Sequence, residues 1–187
     1  MVQISLNEIL EAQIRGCFGR VVWTHKTQEK CADILTRRNS FFKIAQIALS
    51  ALTTSGILLT IFGDSKIVGA ASALISTALL ALNAYLKNYD LGEIAQKHTN
   101  SASLLWDVRE KYLSLLTDIK SGALDAVAIR DRRDELQKEL LSVYTGSPRT
   151  LGQAYQEASK ALKKNEELTF SDEEIDTFLP KALRKSE

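Results

Sequence analysis

The sequence has little of what marks a secreted, catalytic or nucleic-acid-binding protein. Two cysteines, Cys17 and Cys31, are too few for a disulfide framework. On one continuous helix they would lie ~21 Å apart and could not bridge each other. They read as small buried residues in a reducing compartment. Net charge is only +1, from 24 basic and 23 acidic side chains, so no overall field draws in nucleic acid. Aromatics make up 7% of the chain and form no nucleic-acid-binding signature. The two histidines, His25 and His98, form no metal-ligand pattern such as His-x-x-x-His. There is no P-loop, no Gly-x-Gly-x-x-Gly and no Gly-x-Ser-x-Gly. No enzyme, no cofactor and no metal are expected. Met1 to Leu10 has no basic start followed by an apolar run, which argues against a signal peptide. Val2 stands where myristoylation needs glycine, and Lys185-Ser186-Glu187 offers no cysteine to prenylate.

What is present is concentrated in the middle. The average of 45% hydrophobic and 25% charged residues looks like a soluble protein, but Ile44–Phe62 and Ile67–Leu86 contain no charge at all. These 19 and 20 residues would each span ~29 Å as helix, against a hydrocarbon core of ~30 Å. Only Gly63, Asp64, Ser65 and Lys66 lie between them, so the two helices must run antiparallel. Phe41 and Phe42 precede the first span, while Tyr85 and Tyr89 close the second, where aromatic rings prefer headgroup depth. Arg37, Arg38, Lys43 and Lys87 on one side outweigh the single Lys66 on the other. The positive-inside rule therefore puts both termini in the cytoplasm. The competing reading is a buried hairpin in a soluble helical bundle. A soluble helix of this length normally shows a charged face, and neither stretch has one.

Each span carries a polar or small seam. Gln46, Ser50, Thr53 and Thr60 recur at helical spacing in the first; Gly69, Ser72, Ser76 and Asn83 do so in the second. Such seams serve either to pack helices closely or to line an aqueous path. Two helices cannot enclose a pore, so the second option requires a homo-oligomer. Gln46 and Asn83 stand out, because an amide in lipid needs a partner or water.

Outside the spans the chain reads as all-α, with long N-terminal and C-terminal cytoplasmic helices. A Ser5-x-x-Glu8 capping box opens a helix to Asn39, whose middle Gly16 and Gly19 weaken enough to allow a break. After the hairpin, Leu91, Ile94, His98, Ser101, Leu105, Val108, Tyr112, Leu115 and Ile119 alternate by threes and fours. This heptad helix is expected to continue directly from span two and to end at Gly122. Its apolar members (Leu91, Ile94, Leu105, Val108, Tyr112, Leu115, Ile119) are candidates for holding protomers together or carrying a signal. A further helix covers Asp125 to Tyr144. Ser147-Pro148 is expected to cap and open another helix to about Lys164, and Ser171 to Glu174 is a second capping box before a short helix to Phe178. The units are thus 1–40, an N-terminal cytoplasmic helix; 41–89, the hairpin; 90–165, a cytoplasmic helical domain; and 166–187, a tail with a short helix. In the run Arg130 to Glu135 alternating charges fit a solvated helix. Arg130, Arg132 and Arg133 are candidates for contacting an anionic ligand or lipid headgroup.

The layout resembles a known family. A helix with Trp23-Thr24-His25-Lys26, Ala32 and the pair Arg37-Arg38 leads into two close spans. A helical tail follows with Ile129-Arg-Asp-Arg-Arg-Asp-Glu-Leu136, then Ser147-Pro148 before Tyr155-x-x-Ala158. Over roughly residues 8–165 this is similar to the SLATT domain, a two-transmembrane effector domain found beside nucleotide-signalling and reverse-transcriptase genes in bacterial conflict systems. The resemblance implies a membrane effector of antiviral defence. It would stay silent until a phage-triggered signal, then oligomerise or rearrange and permeabilise the bacterial inner membrane, arresting or killing the cell. No catalytic residues belong to that picture, and the sensor is expected to be a separate protein. The alternative is a membrane-anchored scaffold whose cytoplasmic helices recruit a partner.

Overall fold

The computed structural model describes residues 6–63 and 66–185, which form helices joined by turns and short irregular links. The Ser5 cap and the turn residues Asp64 and Ser65 lie outside the described residues. Helix α1 (Leu6–Gly63) runs 58 residues without interruption, about 87 Å at 1.5 Å per residue. The amino-terminal arm and the first span are therefore one rod. Gly16 and Gly19 do not break it, because Ile14, Cys17 and Val21 around them are buried against the rest of the chain, and that packing outweighs their poor helix propensity.

Helix α2 (Lys66–Asn88) returns along α1. It does not continue into the heptad helix. The backbone leaves helical geometry at Tyr89 and Asp90, and α3 (Leu91–Lys120) starts anew, with the Asp90 carboxylate accepting the Glu93 N–H at 2.9 Å. A cap residue with a free carboxylate explains the restart, a signal hidden here inside an unbroken apolar periodicity. Helix α3 ends in a Schellman turn. Gly122 (φ 73°) donates to the Ile119 carbonyl and Ala123 to that of Asp118, a geometry suited to glycine.

Helix α4 (Ala126–Gly146) is capped by Asp125, whose carboxylate accepts from Val127 and Ala128. Ser147 does not open the next helix. Its hydroxyl turns back and donates to the Val143 carbonyl at 2.7 Å, finishing α4, and α5 (Gly152–Lys163) starts later, from Leu151. The Ser171 capping box forms as expected and opens α6 (Asp172–Phe178). A single 3-10 turn, Lys181–Leu183, follows.

The core lies wholly in the arms. Leu10, Ile14, Cys17 and Val21 of α1 pack with Leu105, Val108, Tyr112 and Leu115 of α3 and with Ile129, Leu136 and Val143 of α4. Helix α5 lies on α1 through Ala154, which packs on Cys31 and Ile34. The hairpin is different. Only 6% of the apolar window in each long helix is buried, and Ile47, Phe62, Ile67 and Leu74 are each at least 70% exposed. Core helices of a soluble bundle would be mostly covered, so the buried-bundle reading does not describe this hairpin.

Candidate functional site

The two spans meet along Leu49, Thr53, Gly56 and Thr60 of α1 and Gly69, Ser72, Ile75 and Leu79 of α2, the side chains less exposed than their neighbours. Gly56 sets the closest approach. A Cβ there would fall on the Ser72 hydroxyl and lie 3.2 Å from the Ser72 Cβ. A turn further on, a Cβ on Gly69 would sit 3.1 Å from Thr60 Cγ2. Small residues at these crossings let the backbones close up. Gly56 lies outside both polar seams read from the sequence, although its spacing from Thr53 and Thr60 fits the first.

The seams are split by this packing. Thr53, Thr60, Gly69 and Ser72 lie at or beside the contact, and Gln46 is half-buried near its arm-side end. Ser50, Ser76 and Asn83 are exposed on the outside of the hairpin. Most of the hydroxyls are satisfied within their own helix. Ser50, Thr53 and Thr60 donate to the carbonyls of Gln46, Leu49 and Gly56, and Ser72 to that of Val68, each at 2.8 Å. This back-bonding lowers the cost of placing them in hydrocarbon.

Where the hairpin meets the arms, Phe42 packs edge-on against Tyr85, with ring centroids 5.9 Å apart, and Tyr85 against Tyr89 at 5.1 Å. Phe41, Phe42, Tyr85 and Tyr89 thus form one aromatic belt where the hairpin joins the arms, the placement expected of rings at a bilayer interface. Just outside it Arg37 reaches Glu157 (3.4 Å) and Arg38 reaches Gln153 (3.2 Å), both on α5.

A family model described as the SMODS and SLOG-associating 2TM effector domain, family 4, matches residues 10–174. The chain belongs to this family. It is thus a two-transmembrane SLATT effector domain, associated by family with SMODS and SLOG conflict systems, and its two long apolar helices are consistent with the membrane. The family carries no catalytic assignment, and among the described residues no group of His, Cys, Asp and Glu is placed to hold a metal. Nothing among curated proteins or solved structures matches the chain.

The residues that carry the SLATT resemblance join α1 to α3 and α5. His25 Nδ1 donates to the Ala102 carbonyl (2.9 Å), and its ring lies 5.6 Å from Trp106. His98 Nδ1 donates to Gln28 Oε1, and Gln28 in turn reaches the Pro148 carbonyl at 3.5 Å. Burial pushes the His98 pKa below its usual value, so the ring sits neutral in this relay. Trp23 packs against Tyr155 at a tilt, with ring centroids 5.3 Å apart, and the Lys163 ammonium lies 5.2 Å over its ring. Cys31 Sγ accepts the Leu151 N–H at 3.3 Å just where α5 begins, and burial raises its thiol pKa. Lys26 and Lys30 clasp Glu167 at 2.8 and 3.4 Å, and Lys26 also meets Glu29 at 2.9 Å. Burial works against the charge on Lys26, but its hydrogen bonds to Glu167 and Glu29 outweigh that and raise its pKa. The Lys26 hydrogen bond holds Glu167 down to about 2. His25 Nε2 also faces Glu29 at 3.7 Å, four residues along the same helix, a pairing overlooked in the sequence.

The heptad face of α3 is covered within the chain. Leu105, Val108, Tyr112 and Leu115 are buried against α1 and α4, His98 and Ser101 are buried with them, and Leu91, Ile94 and Ile119 are half-buried. The three arginines do not converge. Arg133 is tied to Asp134 (2.7 Å) and to Gln13 of α1 (3.1 Å), Arg132 lies 3.6 Å from Glu135 in solvent, and Arg130 is exposed.

Proposed function

We propose that this SLATT chain is the membrane-permeabilising effector of a bacterial antiviral defence system, seated in the inner membrane with both termini in the cytoplasm. A signal produced by a separate sensor shifts the arms, the hairpins assemble as a homo-oligomer, and the bilayer leaks. The observation that carries this reading is the uninterrupted α1. Its first half is packed in the arm core and its second half is the first span, so a tilt or rotation imposed on the arms reaches the membrane along one rigid helix. The break at Tyr89 and Asp90 gives the second span a joint of its own. Helix α3 transmits rather than zips protomers together in the resting state, since its apolar seam is already occupied by α1.

The exposed seam members Ser50, Ser76 and Asn83 are the candidates for facing an aqueous path once hairpins assemble. Thr53, Thr60, Gly69 and Ser72 hold each hairpin together. The test is leakage of a trapped dye from liposomes containing purified chain, with and without candidate nucleotide second messengers. Leakage on triggering is expected; intact vesicles with the cognate trigger would overturn the proposal. The scaffold reading draws on exposed Phe170 and Phe178 near α6. It predicts that unrelated polyleucine spans keep the activity, whereas the pore reading predicts that they abolish it.

A further inference from the structure

One side of the hairpin ends, toward the arms, in four polar side chains without partners. We propose that in the unassembled hairpin Lys43 and Lys87 hold the phosphate, and Gln46 and Asn83 the glycerol-ester level, of one anionic phospholipid in the arm-side leaflet. The proposal rests on the membrane reading of the hairpin but not on leakage.

The facing pairs Phe42–Tyr85, Gly56–Ser72 and Thr60–Gly69 fix the antiparallel register. They put Gln46 level with Leu82 and Asn83, about one turn inside the aromatic belt. Lys43 and Lys87 lie at the belt itself. The side of the hairpin is fixed by an open groove of about 320 Å³, lined by residues that include Ile57 and Ile61 of α1 and Gly69, Ser72 and Ser76 of α2. Lys43 precedes Ile61 by 18 residues and Gln46 precedes Ile57 by 11, about five and three whole turns at 3.6 residues each. Asn83 follows Ser72 by 11 and Lys87 follows Gly69 by 18, again about three and five turns. All four therefore stand on the groove side, two cations at the surface and two amides a turn deeper.

Among the described residues none of the four side chains makes a hydrogen bond or ion pair. Nearby acids are engaged elsewhere: Asp90 caps α3, and Glu93 pairs with Lys97 at 2.7 Å. Arg37 and Arg38 are turned to Glu157 and Gln153 of α5 and do not share this site. A phosphodiester supplies what the cluster lacks. Its oxygens accept from both ammonium groups, and the amides reach the glycerol and ester level, where a bare amide in hydrocarbon is costly. Two positive charges with no carboxylate among them select a headgroup of net negative charge over a zwitterionic one.

The test uses the full-length chain in detergent, titrated with phosphatidylglycerol or phosphatidylcholine and read by native mass spectrometry. The wild type is expected to retain phosphatidylglycerol preferentially. K43Q/K87Q should weaken that binding by roughly 30-fold, at about fivefold per lysine. Q46L/N83L should weaken it several-fold, while R38Q leaves it unchanged. Phosphatidylcholine binding, equal in all variants, reports that each is folded. Equal binding of the two lipids by the wild type, or full retention of phosphatidylglycerol by K43Q/K87Q, would overturn the proposal. So would displacement by millimolar inorganic phosphate, which would mark a site for the free anion. A chain that purifies as a folded particle without detergent would instead remove the membrane reading beneath it.

Discussion

Gly56 and Ser72 decide how closely the two spans approach, and the contact is tight enough to be tested by substitution. Gly56→Ala should destabilise the hairpin by about 1–3 kcal/mol through overpacking. Ser72→Ala in the same chain should recover part of that loss, because the hydroxyl is the atom the new Cβ meets. Thermal unfolding in detergent of the two single variants and the double variant gives the coupling; additive losses would contradict the contact. A second residue-scale prediction concerns pH. The His98 pKa is depressed by burial, so the unfolded chain binds the extra proton first. Stability contributed by neutral His98 is whole above about 6.5, the ordinary histidine value, and declines as pH falls below it. Glu167, held near 2 by Lys26, loses its contribution only below the usual 4.5. Glu167→Gln should therefore leave the fall between pH 7 and 5 in place and flatten the one below pH 4.5, as followed by the unfolding midpoint. Cys17 and Cys31 are both free and buried, and neither should react with a maleimide until the chain is unfolded. That burial was legible in the sequence. The partners were not, since nothing in the local sequence says that Cys31 meets the Leu151 N–H or that Gln28 joins His98 to Pro148.

At the level of helices, the charge-free runs and the heptad spacing were readable because periodicity and charge act locally. The junctions were harder. The joint between α2 and α3 is set by one capping side chain, and Asp90→Ala should cost about 1 kcal/mol and loosen the first turn of α3. Hydrogen exchange at Leu91 to Glu93 would show it; unchanged protection there would count against the cap. Ser147 was misplaced because its sequence suits either end of a helix. The hydrogen bond back to Val143 assigns it to the end of α4. The seam residues show the same limit. Spacing puts Ser50 with Thr53 and Ser76 with Ser72, yet a helix–helix contact covers only part of such a stripe, so Ser50 and Ser76 remain outside. Gly56 makes the closest crossing yet lies outside the first seam, whose members are all polar.

For the whole molecule, two unlike surfaces share one chain. The arms bury a continuous apolar core and keep their charges outside, as in water. The hairpin exposes its large apolar side chains on nearly every side and keeps small and hydroxyl residues at its crossing, as in lipid. A rod of 58 residues joins the two, and the proposed signal from the arms would travel along it. The account stands on the hairpin being dissolved in lipid, and fractionation of full-length chain made in cells tests that most directly. After alkaline carbonate washing and high-speed centrifugation the chain should remain in the membrane pellet and be released only by detergent. Recovery in the detergent-free supernatant as a folded, monodisperse particle would contradict it.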